Sequence, residues 1–125
     1  MLINLTNHPS RSWSEKQRVA ALEKYGEIKD IPFPDIDPAL GKKEVVDLAA
    51  GYFLKISKIY SELPQEEKKR FAIHVQGEHT FVHHLLKQAE KLNFTCIAST
   101  TRRIKKDLGS GKSLQQFEFV CFREY

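Results

Sequence analysis

Apolar and polar positions follow strand-like and helix-like periods in turn along the chain, most clearly over residues 71–86. The mostly apolar run Phe71–Gln76 predicts a buried strand, which Gly77 ends. Apolar residues at helical spacing from Thr80 onward then predict a helix. Because the N–H groups at the amino end of a helix lack intrahelical partners and favour anions, we expect a ligand at the strand-end turn, Gln76–His79.

The segments before this unit show the same alternation of strand and helix. Leu2–Leu5 predicts a short apolar strand. The helix after it is predicted to begin at a capping Ser12 or Ser14 and to run to about Tyr25. Its inward face is expected to carry Trp13, Val19 and Leu22.

The other elements complete the order β-α-β-α-β-α-β-β. A second strand is predicted at Glu27–Ile31 and a long helix at about Lys43–Leu63, with a stiff proline-rich loop between them. After the central unit, strands are predicted at Phe94–Ser99 and Gln116–Arg123, joined by a flexible turn at Asp107–Ser113. The last strand is expected to present Phe117, Phe119 and Cys121 on one face and Val120 and Phe122 on the other.

This order predicts the fold class. Strands that alternate with helices favour a mainly parallel sheet with helices on both faces. We therefore expect an α/β fold, a Rossmann-like three-layer sandwich with about five strands, of which the last two form a C-terminal antiparallel hairpin. A chain of 125 residues is expected to form one domain, 1–125, with a substantial core.

Composition narrows the classes of function. The formal net charge of +4 allows a polyanionic ligand without requiring one. DNA or RNA is not the expected partner, because the basic residues are spread among acidic ones and form no stripe with aromatics. The sequence contains no apolar run long enough to span a membrane and no secretory signal, so we expect a cytoplasmic protein. Cys96 and Cys121 are then expected to be reduced and buried, and a disulfide between them is the less favoured alternative.

Three polar stretches are predicted to meet at one edge of the sheet. They are Thr6–Ser10 after the first strand, Gln76–His79 after the third, and Ser99–Arg103 at the fourth. In open α/β sheets, ligands bind beyond the carboxyl ends of the strands. Arg, Thr, Ser and backbone N–H groups suit phosphate oxygens, and Asn or Gln can read a base. The sequence therefore predicts a site for a phosphate-bearing ligand.

Several of these residues also have purely structural interpretations. Asn7 and Ser10 are common turn formers, and His8 beside a proline could be a solvated loop residue. Glu78 could serve only to complement the amino end of its helix. These alternatives stay open at the level of sequence.

The other histidines and the glycine-rich turn receive structural interpretations first. His79 and His83 are one helical turn apart and could share a metal, but no third ligand stands at a suitable spacing, so no metal is expected. His74, inside a strand, is interpreted as a satisfied core histidine. The Gly109–Ser113 segment is interpreted as a hairpin loop, because a phosphate-binding loop needs another glycine upstream and a helix after it.

The segments INLTNHPS, HVQGEHTF, IASTTRR and FEFVCFREY together resemble the small stand-alone relatives of CRISPR-associated Rossmann-fold (CARF) domains. Some of these are ring nucleases, which degrade cyclic oligoadenylate second messengers of type III CRISPR antiviral signalling. The resemblance implies a homodimer with the ligand across the two-fold axis. It also implies metal-independent cleavage without a cofactor, in which a ribose 2′-hydroxyl attacks the adjacent phosphate and leaves a 2′,3′-cyclic phosphate.

The resemblance also implies roles for individual residues. His8 would be an acid/base or a phosphate donor, Arg102 or Arg103 would stabilise charge, and Glu78 would bond a ribose hydroxyl or adenine or act as a base. A cyclic-nucleotide sensor that binds without cutting, and an interaction domain without a nucleotide, are the alternatives. The remaining ligand-binding residues would be Thr6, Asn7, Ser10, Gln76, Gly77, Thr80, Thr100 and Thr101.

Overall fold

The computed structural model describes residues 1–125 and arranges them as one five-stranded sheet with helices on both faces. Regular structure follows the predicted order, with two additional short elements, a 3-10 turn at Ser10–Ser12 and a short helix before the third strand. The elements are β1 Leu2–Thr6, α1 Glu15–Tyr25, β2 Ile28–Asp30, α2 Lys42–Ser61, α3 Gln65–Lys68, β3 Ala72–Gln76, α4 His79–Lys91, β4 Thr95–Gly109 and β5 Lys112–Glu124.

The strand order in the sheet is β2-β1-β3-β4-β5. β1 pairs in parallel with β2 and β3, and β3 pairs in parallel with β4. Only the β4–β5 hairpin is antiparallel. The predicted α/β fold with a mainly parallel sheet and a C-terminal hairpin is therefore confirmed. None of the helices has the length and hydrophobicity that a bilayer crossing requires.

One face of the sheet is apolar along the two central strands β1 and β3. Ile3 and Leu5 of β1 and Ile73 and Val75 of β3 lie on this face, where α2 and α4 cover them. All four side chains are fully buried. Burial of this apolar area supplies most of the driving force for folding.

The opposite face, under α1, changes character along the strands. Near the strand starts, Leu2 and Ala72 pack against Ala21 and Tyr25 of α1. Two residues further along, Asn4 pairs in register with His74, and then Thr6 with Gln76. A polar half-face is thus placed at the carboxyl ends of the strands, beside the start of α1.

The observed face of α1 differs from the predicted one. Trp13 is buried as expected, but Val19 and Leu22 are 44% and 47% exposed. Ala21 and Tyr25 face the sheet instead, because the Tyr25 ring packs edge-on against Phe122 of the hairpin. Of the two alternative caps, the helix uses Ser14, whose side chain accepts a hydrogen bond from the N–H of Gln17.

The hairpin is longer than predicted and contains a bulge. Its ladder runs from Ile97↔Glu124 to Gly109↔Lys112, and the pairing shifts between Thr100 and Thr101 so that Val120 has no partner. The extra residue brings Phe119 and Phe122 together, with ring centroids 4.9 Å apart. The predicted placement of these two rings on opposite faces is therefore wrong. A hairpin turn is present as predicted, but it is shorter than the predicted Asp107–Ser113: β4 ends at Gly109, β5 begins at Lys112, and residues 109–111 have positive φ.

Both cysteines are free thiols. Cys96 is buried as expected, and burial raises the pKa of its thiol to about 12. Cys121 is exposed, contrary to the prediction, because it follows the bulge on the edge strand β5.

Candidate functional site

An open cleft of about 960 Å³ lies at the carboxyl ends of β1 and β3. The start of α1 forms one wall, and the β4–β5 hairpin forms another. The structure brings together six of the residues that were predicted for the site. These are Thr6, Asn7, His8, Gln76, Gly77 and Thr101.

Hydrogen bonds to the backbone of His8 fix the loop that follows β1. The His8 carbonyl accepts hydrogen bonds from Asn4 Nδ2 at 2.9 Å, from Trp13 Nε1 at 3.0 Å and from Thr6 Oγ1 at 3.1 Å. The His8 N–H donates to Thr6 Oγ1. The backbone is therefore fixed, while the imidazole is exposed in the cleft and makes no hydrogen bond of its own.

Asp30, at the end of β2, ties the same loop down from the other side. Its carboxylate accepts hydrogen bonds from Asn4 Nδ2 at 2.7 Å, from the Ser10 N–H at 3.0 Å and from Ser10 Oγ at 2.8 Å. Burial raises the pKa of Asp30, but these hydrogen bonds together outweigh burial and hold it below its ordinary value. Ser10 thus anchors the loop and lies outside the cleft lining.

Gln76 uses its side chain to extend the sheet beyond the backbone ladder. The β3–β4 ladder ends at His74↔Ile97. The Gln76 amide then accepts from the Ser99 N–H at 3.1 Å and donates to the Ser99 carbonyl at 3.2 Å. Ser99 Oγ also donates to Gln76 Oε1, at 2.7 Å. Gln76 therefore fixes the point where β4 leaves the sheet.

His74 lies below Gln76 and is only 2% exposed. Its Nε2 is 3.0 Å from Gln76 Oε1, and the edges of Trp13 and Phe122 surround the ring. Burial lowers the pKa of His74 from 6.5 to about 4, with a smaller contribution from His8. The ring is thus neutral at physiological pH.

The other ring nitrogen of His74, Nδ1, has no hydrogen-bond partner. A buried polar atom left in this way costs about 1–3 kcal/mol. The interpretation of His74 as a satisfied core histidine therefore agrees with its burial and with the hydrogen bond of Nε2, whereas Nδ1 has no partner within the chain.

Glu78 caps α4. One carboxylate oxygen accepts from the Thr80 N–H at 3.1 Å, and the other accepts from the Phe81 N–H at 2.9 Å and Thr80 Oγ1 at 2.6 Å. These hydrogen bonds, led by that from Thr80, lower the pKa of Glu78. Glu78 and Thr80 lie at the predicted edge of the sheet, but neither lines the cleft.

Apart from Thr101, the hairpin residues predicted for the site lie outside the cleft lining. The Arg103 guanidinium lies 5.5 Å from the centre of the Phe117 ring, and Phe117 lines the cleft. Arg102 is exposed. The Thr100 hydroxyl hydrogen-bonds the backbone of Cys121 across the hairpin. None of Thr100, Arg102 and Arg103 lines the cleft.

Two charged residues in the cleft were missed by the sequence analysis. Lys16, in the first turn of α1, and Glu118, on β5, both line it, with Lys16 Nζ 3.8 Å from Glu118 Oε1. Both side chains are more than half exposed, so this pair is weak. The capping residue Ser14 indicated where α1 begins. It could not indicate that Lys16 lies in the cleft, because that depends on how α1 packs on the sheet.

Comparison with known proteins gives one family. The model of the uncharacterized protein MJ1673 family matches residues 1–123. The chain belongs to the MJ1673 family. No curated protein and no solved structure matches it. The MJ1673 family match covers the five strands except the last residue of β5, and it includes every residue of the cleft. The family is described as uncharacterized, so the match names no activity.

The cleft of this MJ1673 family chain combines few charges with many hydrogen-bonding groups. Hydroxyl, amide and imidazole groups line it, with one Lys–Glu pair at the side. No group of three or more His, Cys, Asp or Glu side chains is placed to hold a metal ion, and His79 and His83 gain no third ligand. Such a lining is suited to hydrogen-bonded recognition of a polar organic ligand.

Proposed function

We propose that the chain is a CARF-like ring nuclease, which binds a cyclic oligoadenylate in the cleft and cuts it without a metal. The observation that supports this most is the cleft shared by Thr6 and His8 at the end of β1, Gln76 at the end of β3 and Thr101 within β4. Open α/β sheets bind their ligands at this edge. The motifs that resemble CARF proteins supply the same residues.

Cleavage by a ribose 2′-hydroxyl needs orientation of that hydroxyl and stabilisation of charge on the phosphate. The exposed imidazole of His8 lines the cleft without a hydrogen bond of its own and is the proposed acid/base group. Lys16 and the positive end of the α1 dipole offer charge stabilisation on one wall, and Arg103 offers it at the rim. Glu78 is the weaker candidate for a base, because its carboxylate already accepts hydrogen bonds from α4 and Thr80.

The exposed hydrophobic side chains of the hairpin support a homodimer as the functional form. Leu108 and Phe117 are 62% and 65% exposed, and Leu114 and Val120 elsewhere on the hairpin are 42% and 38% exposed. Large apolar groups left exposed along a hairpin favour a protein partner. A second copy there would also close the open side of the cleft over a ring-shaped ligand. In type III CRISPR signalling, such an enzyme would remove the second messenger in the cytoplasm.

The decisive experiment is a single-turnover assay with the protein in excess over cyclic tri-, tetra- or hexa-adenylate, in the presence of a strong chelator. We expect linear products that end in a 2′,3′-cyclic phosphate, separated by chromatography. A ring that binds but stays intact would refute the nuclease. Activity lost on adding chelator would refute the metal-independent mechanism and return attention to His79 and His83.

Substitution of His8 tests its role within the same assay. His8→Ala is expected to lower the cleavage rate about 10²-fold or more while changing the ligand Kd only slightly, as for loss of an acid/base group. The matched control is His84→Ala, because His84 lies on α4 and outside the cleft lining. Equal rates for His8→Ala and the original protein would remove His8 from the mechanism.

A binding module of the same fold is the second candidate, and one observation favours it. The side chains of Ser10, Gln76 and Glu78 are all held by bonds within the protein, which leaves His8 as the one cleft imidazole exposed for chemistry. Thermal stabilisation by a cyclic adenylate without turnover would identify such a module. Absence of both stabilisation and turnover would favour an interaction domain without a nucleotide.

A further inference from the structure

We propose that the floor of the cleft, formed by Ser99 Oγ and His74 Nδ1, presents only hydrogen-bond acceptors and therefore recognises an N–H or O–H donor of the ligand. Gln76 is the positioning residue that fixes both groups. The identity of the ligand as an adenine nucleotide rests on the proposed function, whereas the polarity of the floor follows from the hydrogen bonds alone.

The orientation of the Gln76 amide is determined by the backbone of Ser99. The Ser99 N–H can only donate and the Ser99 carbonyl can only accept, so Oε1 must face the former and Nε2 the latter. Gln76 Oε1 is therefore an acceptor. Ser99 Oγ, 2.7 Å from that oxygen, must direct its proton at it. The Ser99 hydroxyl is left with lone pairs only for a ligand.

The same oxygen fixes the proton of His74. Because Nε2 lies 3.0 Å from Gln76 Oε1, the neutral ring carries its proton on Nε2. Nδ1 is then a bare acceptor, and it has no partner in the protein. His74 and Ser99 both line the cleft, although Nδ1 itself has almost no exposed area. A ligand donor therefore reaches Nδ1 only when the lining of the cleft adjusts around it, and Ser99 Oγ is the acceptor that it meets first.

This polarity orients a nucleotide in the cleft. A phosphate at the floor would meet lone pairs and be repelled, whereas Lys16 and Gln17 in the first turn of α1 offer donors on the wall. The amino group of adenine or a ribose hydroxyl is the donor that would reach the floor. Both have the required chemistry, and the binding experiment below distinguishes them.

The first test reads the proton directly and needs no ligand. In protein with 15N-labelled histidine, we expect the His74 Nε2 to carry the proton and Nδ1 to have the chemical shift of an unprotonated nitrogen at neutral pH. Gln76→Glu places a carboxylate against Nε2, and it is expected to raise the pKa of His74 and to protonate Nδ1. A proton on Nδ1 of the original protein would overturn the proposal.

The second test measures thermal stabilisation by the 5′-monophosphates of adenosine, purine riboside and 2′-deoxyadenosine, which contain no cyclic phosphodiester to cleave. A melting-temperature shift that is larger with the adenosine than with the purine riboside nucleotide assigns the amino group, because unsubstituted purine has no N–H donor on its six-membered ring. A melting-temperature shift that is larger with the adenosine than with the 2′-deoxyadenosine nucleotide assigns the 2′-hydroxyl. Equal shifts with all three would overturn the proposal.

Variants separate positioning from folding. Ser99→Ala and Gln76→Glu are expected to abolish the preference between nucleotides, and Ser99→Thr, which keeps the hydroxyl, to retain it. A preference that survives both Ser99→Ala and Gln76→Glu would contradict the proposed floor. If no nucleotide stabilises the protein and no ring is cut, the proposed function fails, and the nitrogen shifts of His74 then decide the polarity of the floor by themselves.

Discussion

The buried imidazole of His74 is expected to make the protein less stable below neutral pH. In the folded chain burial holds the pKa of His74 at about 4, whereas the unfolded value is 6.5. As the pH falls through 6.5, the unfolded chain takes up a proton that the folded chain does not. Stability is therefore full above pH 6.5 and is lost progressively down to about pH 4.

The size of the effect follows from the two pKa values. At pH 5 the unfolded imidazole is almost fully protonated and the folded one is almost fully neutral. The free energy of unfolding is then about 2 kcal/mol lower than at pH 7 from this residue alone, and about 3 kcal/mol lower at the acid limit. The carboxyl pKa values of Asp30 and Glu78 are lowered in the folded chain, so protonation of these groups in acid also lowers the free energy of unfolding. A reference variant is therefore needed to isolate the contribution of His74.

The assay is urea unfolding at pH 7 and pH 5, followed by the fluorescence of Trp13, the single tryptophan, which contacts the His74 ring. His74→Leu has a side chain of similar bulk that cannot titrate. We expect the original protein to lose about 2 kcal/mol more than this variant between the two pH values. The losses from carboxylates and exposed histidines cancel in that difference.

Equal losses in the two proteins would refute this reasoning. His74 would then ionise in the folded chain near its ordinary pKa, and its ring would have to be solvated. A nitrogen NMR titration of His74 in the folded protein checks the same point independently, because it reports the midpoint for that ring alone.

Three further substitutions test the structural roles of site residues. Glu78→Ala is expected to lower the free energy of unfolding by about 1 kcal/mol in urea, and Glu78→Ser to recover most of it, because serine also caps helices; if the stable Glu78→Ser variant loses cleavage, the carboxylate has a second role. Gly77→Ala is expected to cost about 1–3 kcal/mol, because a Cβ there would collide with the Phe33 ring, which packs on Phe81; an unchanged melting temperature would contradict this. Asp30→Ala removes the acceptor that anchors Ser10 and Asn4, so we expect a loss of about 1–3 kcal/mol with altered amide shifts at His8, and unchanged shifts would argue against the tether.

The fold was predictable because its determinants are local in the sequence. Apolar runs such as Ala72–Gln76 and the helical spacing from Thr80 onward indicate the element types, and strands that alternate with helices indicate a parallel sheet. The bulge at Val120 was not predictable, because it depends on which residues of β4 and β5 pair. One unpaired residue reverses the faces of every side chain beyond it.

The site was predictable as a location but not as a set of contacts. The carboxyl-edge rule brought His8 and Gln76 to one cleft. It could not show that Gln76 bonds Ser99 instead of facing a ligand, since this depends on where β3 and β4 separate. Lys16 was missed because its position depends on the packing of α1, which Ala21 and Tyr25 decide.

The two faces of the sheet differ in polarity, and the stability of the fold does not by itself explain the polar half of the face under α1. Under α2 and α4 the face is apolar throughout, which is the arrangement that burial favours. Under α1, the carboxyl half instead buries Asn4, Thr6 and His74, and polar groups placed there need hydrogen-bond partners to offset their desolvation. Asn4 and Thr6 find those partners within the loop that they hold, whereas His74 Nδ1 does not. An apolar side chain at position 74 would avoid this cost, so the unpaired nitrogen is consistent with the proposed acceptor at the floor of the cleft.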